Sequence, residues 1–304
     1  MNITNPVYFD LMKYNIINDN NIKVFSNKTR DSNIKVFQDK KEKIIFLSEH
    51  KTGINYYKKV KTHDNRPVSY LSKKKMNYVF TSKGNIITKY LDDDRRRKNK
   101  FNKLFLGKDV LDFGCGWGNF LKMLKKTKSK SGIEVGEAFL KFIKNRNKSI
   151  VVKKSIFDFD KKFDYITLFH VLHYLPNQIE LLKNLRKYLK KNGKIIIEVP
   201  NAKDFLLSFD NFDNFKNFTL SKEQLILHTE KSLRSFVRNA GYKSIKIEFY
   251  QRYNMNNHFG WFLHNKPGGH YFLKKIFNKT ITKSYSDFLI KKKMTDTLIL
   301  IAQK

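Results

Sequence analysis

Between Asp109 and Pro200, short apolar runs alternate with amphipathic segments, and this alternation restricts the fold of the 304-residue chain more than any other feature. The apolar runs are typical of buried β-strands, and the segments between them carry apolar residues at helical spacing. Strands and helices in this order form a parallel sheet with helices on both faces. The sequence therefore predicts a doubly wound α/β fold.

The predicted elements follow one another closely. The strands are Asp109–Gly114, Ser131–Val135, one within Ser149–Phe157, one that begins Phe163–Leu175, and Lys194–Pro200. The helices are Asn119–Lys126, Ala138–Arg146 and Gln178–Gly193, the last closed by its glycine. Further along, Lys222–Gly241 is predicted as a helix, and Ser244–Arg252 and Thr295–Lys304 as strands that form a final hairpin. The long segment between these strands, 253–294, is predicted as an insertion that covers the substrate.

The first 90 residues have a different pattern and are predicted to form a small accessory segment, with the main domain at 91–304. Asn21–Phe25, Asn33–Phe37 and Lys43–His50 are β-branched and aromatic, which indicates a β-hairpin or meander. From Ser72 to Lys103 the pattern is polar and helical, and it includes three aspartates followed by three arginines at 92–97. We interpret this run as a solvated helix face, or alternatively as one Asp and one Arg that latch over a bound ligand.

The chain has a single cysteine, Cys115, which excludes an intrachain disulfide and a zinc site built on paired thiolates. We therefore expect a cytoplasmic protein without a bound metal. The N-terminus has no pattern typical of a secretory signal, and no apolar run reaches the ~18 residues of a membrane span.

The formal net charge is +35, and most of the positive charge comes from lysine. A basic balance can indicate a nucleic acid or an anionic membrane surface as partner. Because specific recognition of phosphates and bases favours arginine, we interpret the charge as a compositional bias of the surface. Nucleic acid is the less favoured partner, and an anionic small molecule is compatible with either interpretation.

The segment Val110–Leu121 carries the chemistry of the predicted domain. A strand leads through Asp112 to Gly114, Gly116 and Gly118, and a helix follows. Glycines allow a sharp turn and a close approach of the backbone to a ligand. Nicotinamide-binding turns use the wider G-x-G-x-x-G spacing and face a pyrophosphate, which an acid such as Asp112 would repel. The pattern instead suits a cofactor with an amino group and a sulfonium cation.

Three further positions complete the predicted cofactor site. Glu134 ends the second strand, where a carboxylate can accept hydrogen bonds from both ribose hydroxyls. Asp158, after the third strand, is positioned to accept from an adenine amino group, although Asp160 is equally available, and Phe157 could stack on the ring. Cys115 is interpreted as a small residue tolerated against the ligand rather than as a nucleophile.

The ordered motifs VLDFGCGWGNFL, GIEV, FDYITLFHVLHYLPN, LRKYLKKNGKIIIEVPN and TDTLILIAQK are together much more specific than the glycine turn alone. With them, the chain from about Asp92 onward resembles the class I S-adenosylmethionine-dependent methyltransferases. It is most similar to the bacterial group that acts on small molecules, which includes sugar-modifying enzymes of surface-polysaccharide pathways. The resemblance implies a Rossmann-like sheet of seven strands with the seventh antiparallel, S-adenosylmethionine as cofactor, and methyl transfer as the reaction. An acid often stands in that family where this chain has His173.

Methyl transfer to a hydroxyl or carbon acceptor requires a base with a pKa near neutrality, for which histidine is suited. His170 and His173 follow the fourth strand, at the edge where open α/β sheets bind ligands. We assign His170 to the floor of the cofactor site, and His173 and His258 as candidate bases. The favoured acceptor is a small molecule such as a sugar or saccharide intermediate. The alternatives are an RNA or protein methyltransferase that uses the basic surface, and a non-catalytic binding protein.

Overall fold

A computed structural model describes residues 2–59, 78–80, 86–88, 92–269, 273 and 277–304. The strands are β1 Ile22–Ser26, β2 Val36–Asp39, β3 Ile45–Leu47, β4 Tyr78–Phe80, β5 Ile86–Thr88, β6 Asp109–Phe113, β7 Ser129–Ile133, β8 Ile150–Lys153, β9 Phe163–Phe169, β10 Leu189–Pro200, β11 Ile226–Leu227, β12 Lys243–Tyr250 and β13 Thr297–Gln303. The helices are α1 Pro6–Lys13, α2 Ile54–Lys59, α3 Asp92–Phe101, α4 Asn119–Met123, α5 Glu137–Arg146, α6 Gln178–Lys187, α7 Asp213–Thr219, α8 Glu230–Asn239, α9 Met255–His264 and α10 Lys279–Lys291.

The main sheet has seven strands in the order β12-β13-β10-β9-β6-β7-β8. β6 pairs in parallel with β7 and β9, and β7 pairs in parallel with β8. β12 and β13 pair antiparallel, with Lys246 opposite Ile301 and Phe249 opposite Leu298. The predicted Rossmann-like fold, mostly parallel with an antiparallel final strand, is confirmed.

Three predicted helices were too long: the one predicted over Asn119–Lys126 ends at Met123, and the other two lose residues to strands. The helix predicted to end at Gly193 ends at Lys187, and β10 begins at Leu189 instead of Lys194. The helix predicted over Lys222–Gly241 occupies only α8, because Ile226 and Leu227 form β11. In both cases strand pairing overrides a local sequence that favours helix.

A second sheet contains β1, β2, β3 and β11 in that order. The meander predicted near the N-terminus is therefore confirmed, and β11, from a distant part of the chain, extends it by pairing antiparallel with β3. Asn5 supports this arrangement, because its amide donates to the carbonyl oxygens of Leu47 and Leu225 at 2.9 and 2.8 Å.

The helical prediction for the segment from Ser72 onward was wrong for part of its length. Tyr78–Phe80 and Ile86–Thr88 form an antiparallel pair of strands, as their β-branched and aromatic residues favour. Helical structure begins at Asp92 with α3. The remaining residues of the prediction before Asp92 lie outside the described part of the chain.

The chain divides into two compact units. The glycine-turn unit contains Gly53–Phe169, Lys187–Ile195 and Lys304, and the C-terminal unit contains Met1–Thr52, His170–Arg186 and Ile196–Gln303. Each unit has its own apolar core. Buried side chains of the glycine-turn unit include Phe105, Leu111, Phe139 and Ile166, and those of the C-terminal unit include Phe46, Phe236, Leu289 and Leu300. Among the described residues, none of the helices is both long enough and apolar enough to cross a bilayer.

Candidate functional site

The turn after β6 is built from glycines in the left-handed region of backbone conformation. Gly114, Gly116 and Gly118 have φ angles of 75°, 52° and 71°. Residues with a Cβ rarely adopt these angles, so the alternate glycines are required by the backbone itself. Gly118 is the N-cap of α4, and the amides of Gly114 and Cys115 donate to the carbonyl oxygen of Ile133 at 2.8 and 3.0 Å. The turn is thus fixed to the end of β7.

Glu134 holds the turn from the other side. Its side chain is 4% exposed, and Oε2 accepts a hydrogen bond from the Gly116 amide at 2.9 Å. Oε1 accepts from the amides of Val135 and Gly136, both at 2.8 Å. The carboxylate predicted to bind ribose therefore also orders the glycine turn. Its predicted contact with a cofactor stays a prediction.

Asp112 lies at the end of β6 and is also buried. Its Oδ1 accepts a 2.6 Å hydrogen bond from the Thr167 hydroxyl on β9. Burial raises the pKa of Asp112 to about 7; the Thr167 hydrogen bond and the charge of Arg97 oppose the rise, and the charges of Asp94 and Glu134 add to it. A cation placed in this site would be stabilised by the neighbouring carboxylates, whereas a pyrophosphate would be repelled.

The acidic–basic run at the start of α3 forms three ion pairs, of which one is exposed, one (Asp93–Arg96, 3.1 Å) is half-buried and one is buried. Asp92 and Arg95 are ion-paired with side chains 88% and 56% exposed, as expected of a solvated face. Asp94 and Arg97, at 3.4 Å, have side chains 9% and 11% exposed, and the Arg97 guanidinium lies 4.8 Å from the centre of the Phe169 ring. The solvated interpretation therefore fails for this inner pair, whose charges act on Asp112.

Cys115 packs inside the glycine turn. Burial raises the pKa of its thiol well above the usual value, and the charges of Asp112 and Glu134 add to the rise. The thiol is therefore protonated at neutral pH, which does not favour a nucleophilic role. A Cβ built on Gly132 of β7 would meet Cys115 Sγ at 2.6 Å, so β7 and the turn fit only because residue 132 is glycine.

This contact gives a prediction of compensation between two substitutions. We expect Gly132→Ala to lower the free energy of unfolding by about 1–3 kcal/mol, because the added methyl group overpacks the turn. Combining it with Cys115→Ala should recover at least half of that loss, since the nearest atom is removed and Cys115 Cβ lies 3.3 Å away. Thermal or urea unfolding of the single and double variants measures the coupling. If Gly132→Ala lowers the free energy of unfolding equally in the wild type and in the Cys115→Ala background, the predicted coupling is wrong.

Phe157 and Asp158 lie in a short 3₁₀ turn after β8. The turn is capped reciprocally: the amide of Phe157 donates to Ser155 Oγ at 3.2 Å, and the amide of Ser155 donates to Asp158 Oδ2 at 3.0 Å. Phe157 is 67% exposed, which leaves ring surface on which a planar group could stack. Their predicted contacts with adenine stay predictions.

His170 lies directly after β9, in the C-terminal unit, and has a strained conformation. Its φ angle is 56°, which is uncommon for a residue with a Cβ and is concentrated at functional sites. Its Nε2 lies 3.1 Å from a Glu198 carboxylate oxygen and 3.0 Å from the Arg252 guanidinium. Nε2 carries the proton when it donates to Glu198 and lacks it when it accepts from Arg252, so the two contacts correspond to different tautomers; 21% of the side chain is exposed.

His173 and His258 are more deeply buried. His173 is 0% exposed, and neither of its ring nitrogens has a hydrogen-bond partner among the described residues. Burial lowers its pKa well below the usual value, assisted by the charges of His170, His228 and Arg252. His258 is 2% exposed, and burial lowers its pKa to about 4. Both rings are therefore neutral at pH 7, and neither is well placed to reach a substrate in this conformation.

The hydrogen bonds of His258 determine its tautomer. Gln251 has a fixed amide orientation, because Oε1 accepts from the Asp296 amide at 3.1 Å and Nε2 donates to the Tyr253 carbonyl oxygen at 2.7 Å. Gln251 Nε2 is therefore also the donor to His258 Nε2, at 3.2 Å. The proton of His258 lies on Nδ1 and is donated to the Tyr285 hydroxyl oxygen at 2.7 Å. The phenol keeps its own proton for donation elsewhere.

The structure thus gathers Asp112, the turn glycines, Cys115 and Glu134 into one cluster of the glycine-turn unit, and His170, His173 and His258 belong to the C-terminal unit. Sequence reasoning missed the contributions of Thr167, Glu198 as the partner of His170, Arg252 and Tyr285. The position of Glu198 and Thr167 near the ends of buried strands was a usable signal. Nothing local marks Arg252 or Tyr285.

Residues 87–247 match the family model described as a methyltransferase domain. A curated tRNA U34 carboxymethyltransferase of Nautilia profundicola is 30% identical over 153 residues, which are 46% of this chain and 49% of that protein. The chain thus spans about half the length of this relative.

Among solved structures, a SAM-dependent methyltransferase from Archaeoglobus fulgidus is 19% identical, with a TM-score of 0.46, and the match covers 69% of this chain and 94% of that one. Haemonchus contortus phosphoethanolamine N-methyltransferase 2, solved with S-adenosyl-L-methionine, is 16% identical with a TM-score of 0.43, and the match covers 70% and 52% of the two chains.

Proposed function

Because the chain belongs to the methyltransferase-domain family, whose model spans residues 87–247, we propose that it transfers a methyl group from S-adenosylmethionine to a hydroxyl group of a small molecule such as a sugar. The observation that carries the proposed acceptor chemistry is the contact of His170 Nε2 with Glu198, in which a partly exposed imidazole is held by a buried carboxylate. With the Nε2 proton donated to Glu198, the imidazole can accept a proton from a hydroxyl at Nδ1. The bacterial surface-polysaccharide context and the cytoplasmic location remain part of this proposal.

The residues of the glycine turn fit the proposed cofactor. Left-handed glycines leave no side chain between the backbone and a ligand, and the buried carboxylates of Asp94, Asp112 and Glu134 suit a cationic group. Bound here, S-adenosylmethionine would supply an activated methyl group whose sulfur leaves without charge. In this proposal Asp112 and Glu134 hold the amino acid and ribose parts, and Phe157 and Asp158 contact the adenine.

The protonation of Asp112 gives a pH prediction for cofactor binding. A cationic ligand lowers the pKa of a neighbouring carboxyl group, so binding releases a proton wherever the unliganded Asp112, with a pKa of about 7, is protonated. Affinity should therefore be highest above pH 7 and fall by up to about tenfold per pH unit below it. Calorimetric titration with S-adenosylmethionine at several pH values measures this. Asp112→Asn should bind more weakly and remove the dependence; an unchanged slope in that variant would contradict the assignment.

The choice among the three histidines rests on exposure. A base must reach the proton that it accepts, and the side chain of His170 is 21% exposed, whereas His173 and His258 are 0% and 2% exposed. We therefore assign proton transfer to His170 rather than to the two histidines predicted from sequence. Glu198 orients the ring and would stabilise the imidazolium after proton transfer.

Helices α9 and α10 occupy the segment predicted to cover the substrate. Within it, His258 is assigned as a positioning residue, because its Nδ1 proton fixes the Tyr285 hydroxyl. Burial raises the pKa of Tyr285 above its usual value, and the charge of Asp204 adds to the rise, so the phenol stays a donor at any physiological pH. A phenol donor in this position suits an acceptor rich in hydroxyl or carboxylate oxygens.

Transfer of a labelled methyl group tests the proposal. The full chain is incubated with methyl-labelled S-adenosylmethionine and, separately, with a panel of free sugars, nucleotide sugars and glycolipids. Label in a base-stable product of one sugar class supports O-methylation. Label that enters only amines, thiols or macromolecules rejects it, and uptake of the cofactor with no transfer to any panel member rejects the small-molecule acceptor class.

RNA is a second candidate acceptor. It is favoured by the relative named as a tRNA carboxymethyltransferase and by the formal charge of +35. Against it, specific RNA recognition uses stacking surfaces and arginine, and the positive charge here comes mostly from lysine. The same labelled cofactor with total tRNA separates the candidates, because nuclease-sensitive label would establish the RNA reaction.

A further inference from the structure

Two loops of the glycine-turn unit lead into neighbouring parallel strands. Asn102–Lys108 precedes β6, and Leu124–Lys128 precedes β7. Because the strands are parallel, both loops lie at the amino-terminal edge of the sheet, opposite the glycine turn. We call these two loops the lysine edge.

Hydrogen bonds join the two loops into one surface. The amide of Lys125 donates to Asn102 Oδ1 at 2.9 Å, and the amide of Gly107 donates to the Lys126 carbonyl oxygen at 2.7 Å. The amide of Lys128 donates to the carbonyl oxygen of Lys108 at 2.9 Å. The side chains of both loops are therefore presented together by a backbone that is fixed at several points.

The two loops of the lysine edge contain no acidic residue, and one of their lysines, Lys128, is ion-paired with Asp109 at 3.9 Å. Between Lys98 and Ile133 the acidic residues are Asp109 and Asp112, and both are buried. Asp109 is moreover ion-paired with Lys190 at 2.8 Å. Basic stretches without acids also occur elsewhere, for example at Ala138–Phe157, so the lysine edge is distinguished by the joining of its two loops and by its exposed leucines rather than by charge alone. The exposed basic side chains are Lys103, Lys108, Lys125, Lys126 and Lys128.

Two leucines lie among these lysines. Leu104 and Leu106 are 42% and 45% exposed, whereas Phe105 between them is fully buried in the core. The loop thus places one apolar side chain inward and two outward. Exposed leucines flanked by Lys103 and Lys108 form a surface that suits a partner able to accept both charge and apolar groups.

This combination distinguishes between polyanions. An RNA backbone accepts lysine but offers no burial for leucine, and single-stranded RNA is held by exposed aromatic rings or arginine. Phe101 and Phe105 are buried, and no arginine occurs between Lys98 and Ile133. Anionic lipid headgroups attract lysine, and the interface below them accepts leucine. We propose that the lysine edge binds the surface of an anionic lipid bilayer, with Leu104 and Leu106 in the interface.

Vesicle sedimentation of the full chain tests the charge contribution. The wild type should bind phosphatidylcholine vesicles that contain about one third phosphatidylglycerol, and should not bind phosphatidylcholine alone. The triple variant Lys103→Gln, Lys125→Gln, Lys126→Gln should bind roughly 100-fold more weakly, because each lysine near the surface contributes about fivefold. The matched control Lys40→Gln, Lys41→Gln, Lys43→Gln loses the same charge at the exposed turn between β2 and β3 and should lose much less affinity. Equal losses in the two triple variants overturn the proposal.

Substitution of the leucines separates lipid from RNA. Leu104→Ser with Leu106→Ser should weaken vesicle binding about tenfold, whereas Val151→Ser, at a residue 53% exposed on β8, should not. If the leucine variant binds vesicles normally, or if polyuridine binds the wild type and displaces it from vesicles at low concentration, the lipid assignment is wrong. Unchanged thermal unfolding and unchanged S-adenosylhomocysteine binding show that each variant is folded. Because methyl transfer is not the readout, failure here leaves the proposed acceptor untouched.

Discussion

Replacing Glu134 with Gln is expected to weaken S-adenosylhomocysteine binding by roughly 100-fold and to lower the free energy of unfolding by about 2–4 kcal/mol. One carboxylate oxygen accepts from Gly116, and the other accepts from Val135 and Gly136. An amide has one NH₂ group, and in either orientation that group faces a backbone N–H donor. The glycine turn therefore loses a hydrogen bond that holds its backbone, and the site loses a buried negative charge. Calorimetry and urea unfolding measure the two effects.

Glu137→Gln is the matched control, because it removes the same charge. Glu137 lies three residues from Glu134 and is exposed on the first turn of α5. Glu134→Ala removes the carboxylate without placing an NH₂ group against a backbone N–H donor. We expect its free energy of unfolding to be higher than that of Glu134→Gln, whereas its affinity for S-adenosylhomocysteine should stay as low. If Glu134→Gln binds as tightly as Glu137→Gln, the carboxylate has no role in holding the cofactor.

His170→Asn should reduce kcat by about 10²–10⁴-fold with the acceptor identified by labelled transfer, because the proton acceptor is removed. Asparagine tolerates the left-handed conformation better than most residues, so the strained backbone at φ 56° should be retained. Steady-state kinetics measures the loss of kcat, and calorimetry with S-adenosylhomocysteine measures the cofactor Kd.

The two proposed roles of His170 predict different results in this variant. Loss of kcat with an unchanged cofactor Kd indicates the base, and a weakened cofactor Kd with little change in kcat indicates the floor of the cofactor site. Glu198→Gln should lower kcat less than His170→Asn, because it affects only the orientation and charge of the ring. His264→Asn, at an exposed histidine that ends α9, should be neutral. If His170→Asn has a normal kcat, His170 is not the base.

Much of the fold could be predicted because its signals are local. Alternation of apolar runs with amphipathic segments gave the order of β6 to β10, and the G-x-G-x-G spacing located the turn whose glycines have positive φ. The predictions failed where pairing partners decide the outcome. Leu189–Gly193 is polar enough to continue a helix, yet it is part of β10, and Ile226–Leu227 forms β11 only because β3 provides an edge.

The candidate site was predicted in part. Asp112, Glu134 and the turn glycines form one cluster, as their positions at strand ends indicated. The sequence could not distinguish the buried Asp94–Arg97 pair from the exposed Asp92–Arg95 pair, since both have the same spacing on one helix. It also could not show that Cys115 requires glycine at 132, because that contact joins residues seventeen positions apart.

From its order of residues alone, this chain determines a Rossmann-like domain with a glycine turn, because strand and helix periodicity and the conformational freedom of glycine act over a few neighbouring residues. Only the tertiary structure decided which titratable groups can act. His170 is accessible and His173 is sealed although three positions separate them, and Asp112 titrates near pH 7 while Asp92 is solvated. Burial and electrostatic environment depend on distant parts of the chain packed around each group, and this packing cannot be read from local sequence.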